Sequence, residues 1–184
     1  ASCGTQGAAL AIGGGRTPSE STSASVEQWN GTSWTEVNDL NTARKYLPGA
    51  GTVTAGLAMG GSSAPAGPSY VGVTETWNGT SWTETNDMNT ARNGQAGFGI
   101  QTAALIAGGR ESSPTFSAKT ESFDGTSWTE VNDLASTRST SGGGGSSTDG
   151  LIAGGYLAPA SPSTLDISEE WLKPASATVT ITTS

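Results

Sequence analysis

Apolar and polar positions along the chain fall into short runs, and no window carries helical spacing. The plainest runs are continuous and apolar, and each ends at a glycine pair. Residues 8–12 precede Gly13 and Gly14, 55–59 precede Gly60 and Gly61, 103–107 precede Gly108 and Gly109, and 151–153 precede Gly154 and Gly155. A strand without alternation is one buried on both faces. Small, glycine-rich segments stand ahead of these runs at 47–52, 96–100 and, more weakly, 141–146. Behind them come 26–29, 73–77, 119–123 and 167–171, each ending in an aromatic residue, and then 34–38, 82–86 and 128–132, each opening with tryptophan. Prolines cluster between the runs, so the pattern predicts four short strands per unit.

The units repeat. Trp29-Asn30-Gly31-Thr32-Ser33-Trp34 returns as Trp77-Asn78-Gly79-Thr80-Ser81-Trp82 and as Phe123-Asp124-Gly125-Thr126-Ser127-Trp128, while Trp171 holds the corresponding aromatic position in the fourth unit. Arg44, Arg92 and Arg138 each stand 16 residues before the next glycine pair. The period of about 47 residues divides one domain into four units, 1–40, 41–88, 89–134 and 135–184. Between the third and fourth strands, Asn-Gly or Asp-Gly predicts a type I′ hairpin, whose two central residues need positive φ. A four-stranded meander cannot bury two apolar faces alone. Radial stacking solves this, with Trp and Phe filling the wedges between sheets. The expected fold is all-β, a β-propeller with four blades of four antiparallel strands in this chain.

Taken in phase, these features resemble the kelch family and the central propeller of galactose-oxidase-like proteins. The residues that carry the resemblance are the run Leu57-Ala58-Met59 with Gly60-Gly61, the aromatic Trp77, Trp82 five positions later, and Arg92 opening the next unit. Kelch repeats usually have Tyr where this chain has Trp or Phe, and the turn here is short. The compact Asn-Gly-Thr-Ser-Trp variety is similar to repeats of bacteriophage and environmental bacterial proteins, which implies a virion or cell-surface setting. Ala1 aligns with Pro48, so the chain opens inside a first strand. Two accounts fit this phase. Either the four blades close as a small ring, or further blades lie upstream, as the five to seven blades common in the family suggest. Residues 177–182 alternate apolar and hydroxyl positions and are expected to supply the last fourth strand.

Composition narrows the function. Histidine is absent, which removes Ser–His–Asp and Cys–His nucleophile systems and every histidine metal site. The copper chemistry of galactose-oxidase-like enzymes is therefore not expected, and neither is any cofactor or metal. Eight cationic residues against 16 acidic ones, a net charge of −8, argue against nucleic acid and anionic membranes as partners. Cys3 is the single cysteine and is expected to be a small packed residue near the propeller axis. Gly, Ser, Thr and Ala fill over half the chain, which suits an extracellular or virion surface.

In such a meander one face carries uniform turns and the other carries variable loops, at 16–23, 62–70, 110–116 and 156–165. A constant scaffold with one variable rim suits recognition. The candidate ligand-binding or partner-binding residues are Arg16, Tyr70, Arg110, Phe116 and Tyr156. No catalytic residue is assigned. The expected role is a non-enzymatic structural or recognition module of a phage virion (tail fibre, spike or decoration) or of a bacterial surface assembly, binding protein or glycan, with self-association also open. A secreted glycan-active enzyme, a lectin-like domain and a ligand-free self-assembling propeller are the alternatives. Asp39, Asp87 and Asp133, each after Asn, are expected to cap turns in preference to holding Ca²⁺. Glu27, Glu75, Glu121 and Glu169 recur with the arginines, which predicts ion pairs between blades. Asn30 and Asn78 also match the N-glycosylation sequon but are read as turn residues.

Overall fold

The computed structural model describes residues 1–16, 21–63, 69–112, 114–157, 163–164 and 166–173. The first blade runs β1 (Ser2–Thr5), β2 (Ala8–Arg16), β3 (Ser21–Trp29) and β4 (Trp34–Val37). The second is β5 (Gly49–Thr52), β6 (Ala55–Met59), β7 (Thr74–Trp77) and β8 (Trp82–Thr85). The third is β9 (Ala96–Ile100), β10 (Ala103–Ala107), β11 (Thr120–Phe123) and β12 (Trp128–Val131). The fourth comprises β13 (Gly142–Gly145), β14 (Asp149–Ala153) and β17 (Ser168–Leu172), with β15 (Tyr156–Leu157) and β16 (Ser163–Thr164) as a separate small ribbon. Each sheet is an antiparallel meander in simple sequential order. The four sheets form a four-blade β-propeller. The fourth strand expected at 177–182 lies outside the described residues.

Three hydrophobic clusters hold the blades together, one per junction. Leu10, Ile12 and Val26 of the first blade meet Ala58, Trp77 and Trp82 of the second. Leu57 and Met59 meet Ala104, Ile106, Phe123 and Trp128 at the next junction, and Leu105 and Ala107 meet Ile152 and Trp171 at the last. Alternation along the second strand therefore sends successive residues to opposite neighbours, which is why the run reads as continuously apolar. Neighbouring inner strands lie side by side from β1 to β5, β9 and β13. They approach closely enough that a Cβ on Gly97 would stand 2.7 Å from the Pro48 side chain. Among the described residues these three clusters join consecutive blades, the first to the second, the second to the third and the third to the fourth.

The hairpin expected at Asn-Gly differs from the one that forms. Trp29 pairs directly with Trp34, leaving a four-residue loop in which only Gly31 has positive φ, at 93°. The Asn30 side chain does the work instead: its Oδ1 accepts from the amides of Thr32 and Ser33, each at 2.9 Å. Asn78 repeats these bonds with Thr80 and Ser81. Asp124 accepts from Thr126 and Ser127 at 2.8 and 2.7 Å, and those amides hold its carboxyl below the usual range. The first turn position selects a side-chain oxygen, which both Asn and Asp own, and the positive φ falls on the glycine that follows it.

Candidate functional site: the variable loop face

The frame under this face is built by one repeated polar device. Arg44 lies in the segment that crosses from the first blade to the second, and its Nη1 donates to the carbonyls of Gly60 and Val73 at 2.8 and 2.6 Å. Its Nη2 reaches Glu75 at 2.9 Å, with both side chains fully buried. Glu75 also accepts from the backbone amides of Asn41 and Thr42 and from the Asn41 side chain. Arg92, Asn89 and Thr90 treat Glu121 in the same way. Arg138 pairs with Glu169, which also accepts from the Ala135 amide. The expected pair between blades is thus more specific: in the second, third and fourth blades a glutamate on the third strand clamps the segment that enters that blade, while Glu27 of the first blade forms no such pair among the described residues. The arginine-to-glycine spacing of 16 residues follows, because the guanidinium donates to the first glycine's carbonyl. That glycine has positive φ, 58° at Gly60, and a Cβ there would lie 2.9 Å from the Arg92 carbonyl oxygen of the next segment. Burial lowers the affinity of both Arg44 and Arg92 for their protons, and the paired glutamate opposes this.

On this frame the second, third and fourth blades each display a rung of three backbone-paired residues. In the second blade Lys45 pairs with Ser62, and Ser62 with Tyr70. In the third Asn93 pairs with Arg110, and Arg110 with Phe116. In the fourth Ser139 pairs with Tyr156, and Tyr156 with Thr164. Tyr70, Arg110, Phe116 and Tyr156, all singled out from the sequence, therefore occupy equivalent rungs on one face. Arg110 and Phe116 touch: the guanidinium carbon lies 4.8 Å from the ring centroid. Tyr70 and Tyr156 stand in separate blades and do not share a contact with that pair. Arg16 ends β2 opposite Ser21.

Arg110 is the distinctive charge of the face. It forms no ion pair among the described residues, and its Nε is buried without a hydrogen-bond partner. Nearby Glu111 is engaged elsewhere, accepting from Ser117 at 2.6 Å and lying 3.6 Å from Lys119. An aromatic-backed guanidinium with open donors suits a planar acceptor such as a carboxylate or amide.

Sequence reasoning missed Tyr46 and Thr140. Both have positive φ, 57° and 58°, a conformation L-residues rarely adopt and one that recurs at binding sites. Gly94 holds the equivalent position in the third blade. The three are linked by backbone bonds, Gly94 N–H to Tyr46 C=O and Thr140 N–H to Gly94 C=O. Tyr46 is 61% exposed, with the Lys45 ammonium 5.6 Å from its ring centroid. The available signal was the alignment of Gly94 with two non-glycine residues, each two positions after the arginine.

Between the inner strands lies a cleft of about 470 Å³, bordered by Cys3, Ala50, Gln95 and Phe98. Cys3 is partly buried there as expected, and burial pushes its thiol up to about 11. Asn38 and Asn86 do not cap their own turns. Their side chains donate to the Thr80 and Thr126 carbonyls of the following blades, at 2.7 and 2.9 Å. Asp133 does bond a backbone amide, that of Thr120.

No family model matches this chain, and no curated protein sequence matches it. Solved structures do. The structure of YjhT superposes with a TM-score of 0.66 over 80% of this chain, at 11% identity. The likeness is one of fold. The alignment spans 48% of YjhT, so this chain corresponds to about half of that protein's length.

Proposed function

We propose that this chain is a non-enzymatic recognition module of kelch-like type, binding glycan or protein through its variable loop face. The observation that carries the reading is the contrast within each blade. The clamp, the Asn-turn and the aromatic wedge recur, whereas the rungs change from Ser62 with Tyr70 to Arg110 with Phe116 to Tyr156 with Thr164. Variation confined to one rim of a repeated scaffold is the pattern of a surface selected for contact. The Asn-Gly-Thr-Ser-Trp repeat and the Ser/Thr-rich, histidine-free composition support a setting on a virion, as tail fibre, spike or decoration, or on a bacterial surface. Arg110 on Phe116 is the anchor assigned to an acidic or amide-bearing group of the ligand.

A glycan array that includes uronic and sialic acids, read beside a pull-down of bacterial envelope proteins, tests this. Binding is expected, and Arg110→Ala combined with Phe116→Ala is expected to weaken it at least about tenfold, the loss of a charge-assisted contact worth about 1.5–3 kcal/mol. Binding that is indifferent to both substitutions, or no binding to either class, overturns the proposal.

A further inference from the structure

Each inner junction joins the second face of one blade to the first face of the next. The first face presents the aromatic pair, the clamp glutamate and the two second-strand residues paired with the third-strand aromatic and the glutamate, Gly56 and Ala58 in the second blade and Ala104 and Ile106 in the third. At the second and third blades this face is closed over: Trp82 and Trp128 are each 6% exposed, and Glu75 and Glu121 are fully buried. The first blade carries the same face complete. Trp29 stacks on Trp34 at 5.5 Å, Ala9 and Ala11 lie opposite Trp29 and Glu27, and the register matches that of β6 and β7. There, however, Trp34 is 49% exposed. Glu27 is exposed and forms no ion pair among the described residues.

We propose that this face of the first blade is a docking surface for one further blade of the same repeat, which brings an arginine in the segment leaving it. Continuity with three existing junctions identifies the occupant, because every element of the acceptor side is present. Charge complementarity specifies the arginine: Glu27 stands where Glu75 and Glu121 receive a guanidinium and two backbone amides. A second copy of this chain fits less well. The outward face it would offer belongs to the fourth blade, where Glu170 lies opposite Leu151. Thr76 and Ser122 hold that place in the second and third blades, and residues 172–184 contain no arginine. Such a docking would add an acidic residue to the incoming face and bring Glu27 no exit-segment arginine, since Lys173, the one cation of that stretch, directly follows β17 and bonds through its backbone to Thr148.

The test supplies the blade directly. A copy of residues 1–47 is placed ahead of Ala1, so that its exit segment with Arg44 leads into β1 in register. Trp29→Phe and Trp34→Phe are made in the added copy alone, which leaves the original Trp34 distinguishable. A second version adds residues 49–95, the second blade with its own exit segment and Arg92. Hydroxyl-radical oxidation of Trp34, read by mass spectrometry, is expected to fall about eightfold relative to the 184-residue chain, the ratio of 49% to 6% exposure. Arg44→Met in the added copy, or Glu27→Gln in the original blade, is expected to restore much of the oxidation. Glu27→Gln in the 184-residue chain should leave it unchanged. Unaltered oxidation of Trp34 in both extended chains overturns the proposal. Concentration-dependent protection of Trp34 in the 184-residue chain that ignores Glu27→Gln also overturns it, by making a second copy the occupant.

Discussion

Trp128 and Trp82 fill the same wedge in successive junctions, yet their indole N–H groups fare differently. Trp128 donates to the Thr74 hydroxyl of the preceding blade at 3.1 Å, inside the core. Trp82 has no acceptor for its buried Nε1 among the described residues, and Val26 stands where the hydroxyl would be. An unsatisfied buried donor costs its desolvation, and a made hydrogen bond contributes about 1 kcal/mol net. Val26→Thr is therefore expected to stabilise the chain by about 1 kcal/mol, read as a higher urea midpoint at unchanged slope. A lower midpoint would mean that the new hydroxyl is itself left unpaired. The same residue scale explains why Asp124 replaces asparagine without loss, since the turn consumes only a side-chain oxygen.

At the scale of the element, the clamp decides how one blade passes the chain to the next. Glu121 gathers the Asn89 and Thr90 amides, the Asn89 side chain and Arg92 into one buried site, and so sets the path of residues 89–92. Arg92→Met leaves that carboxylate buried without its cation and is expected to cost about 3–5 kcal/mol. Adding Glu121→Gln should return a large part of the loss, because the amide keeps an oxygen for the segment's amides and carries no charge. Full destabilisation in the double variant would show that the guanidinium's bonds to the Gly108 and Lys119 carbonyls matter more than the charge pair. Much of this was legible in the sequence, since strict recurrence of Arg, Glu and paired glycines announces a shared device. The partner assignment was not. Sequence places Arg44 at the head of one unit and Glu75 within it, but only coordinates show that the segment, with its amides, lies between two blades. The αL conformations of Tyr46 and Thr140 were hidden for a similar reason. Their strain is imposed by backbone bonds to neighbouring blades, which local propensity does not record.

For the whole molecule, the consequence of stacking is unequal protection along the chain. Repeat assemblies derive their stability from each unit and its contacts with nearest neighbours. The second and third blades are covered on both sides, and their second strands are buried almost throughout. The first blade is covered on one side, so β4 is largely exposed while β8 and β12 each sink their tryptophan. In the fourth, every residue of β13 is exposed, as are Leu151 and Leu172. Local opening should follow this order, because exposed ladders with few apolar contacts open at lower cost. Native-state hydrogen exchange is expected to show the slowest amides in β6, β7, β10 and β11. Earlier exchange is expected in β4 and β17, and the earliest in β13. The order has a mechanistic corollary. If the first blade accepts a further blade, exchange of β4 in the extended chain should slow toward that of β8, whereas β13 at the opposite end should keep its rate. Uniform exchange across all four blades would mean that the propeller opens as one cooperative unit, and that its exposed outer faces carry no local weakness.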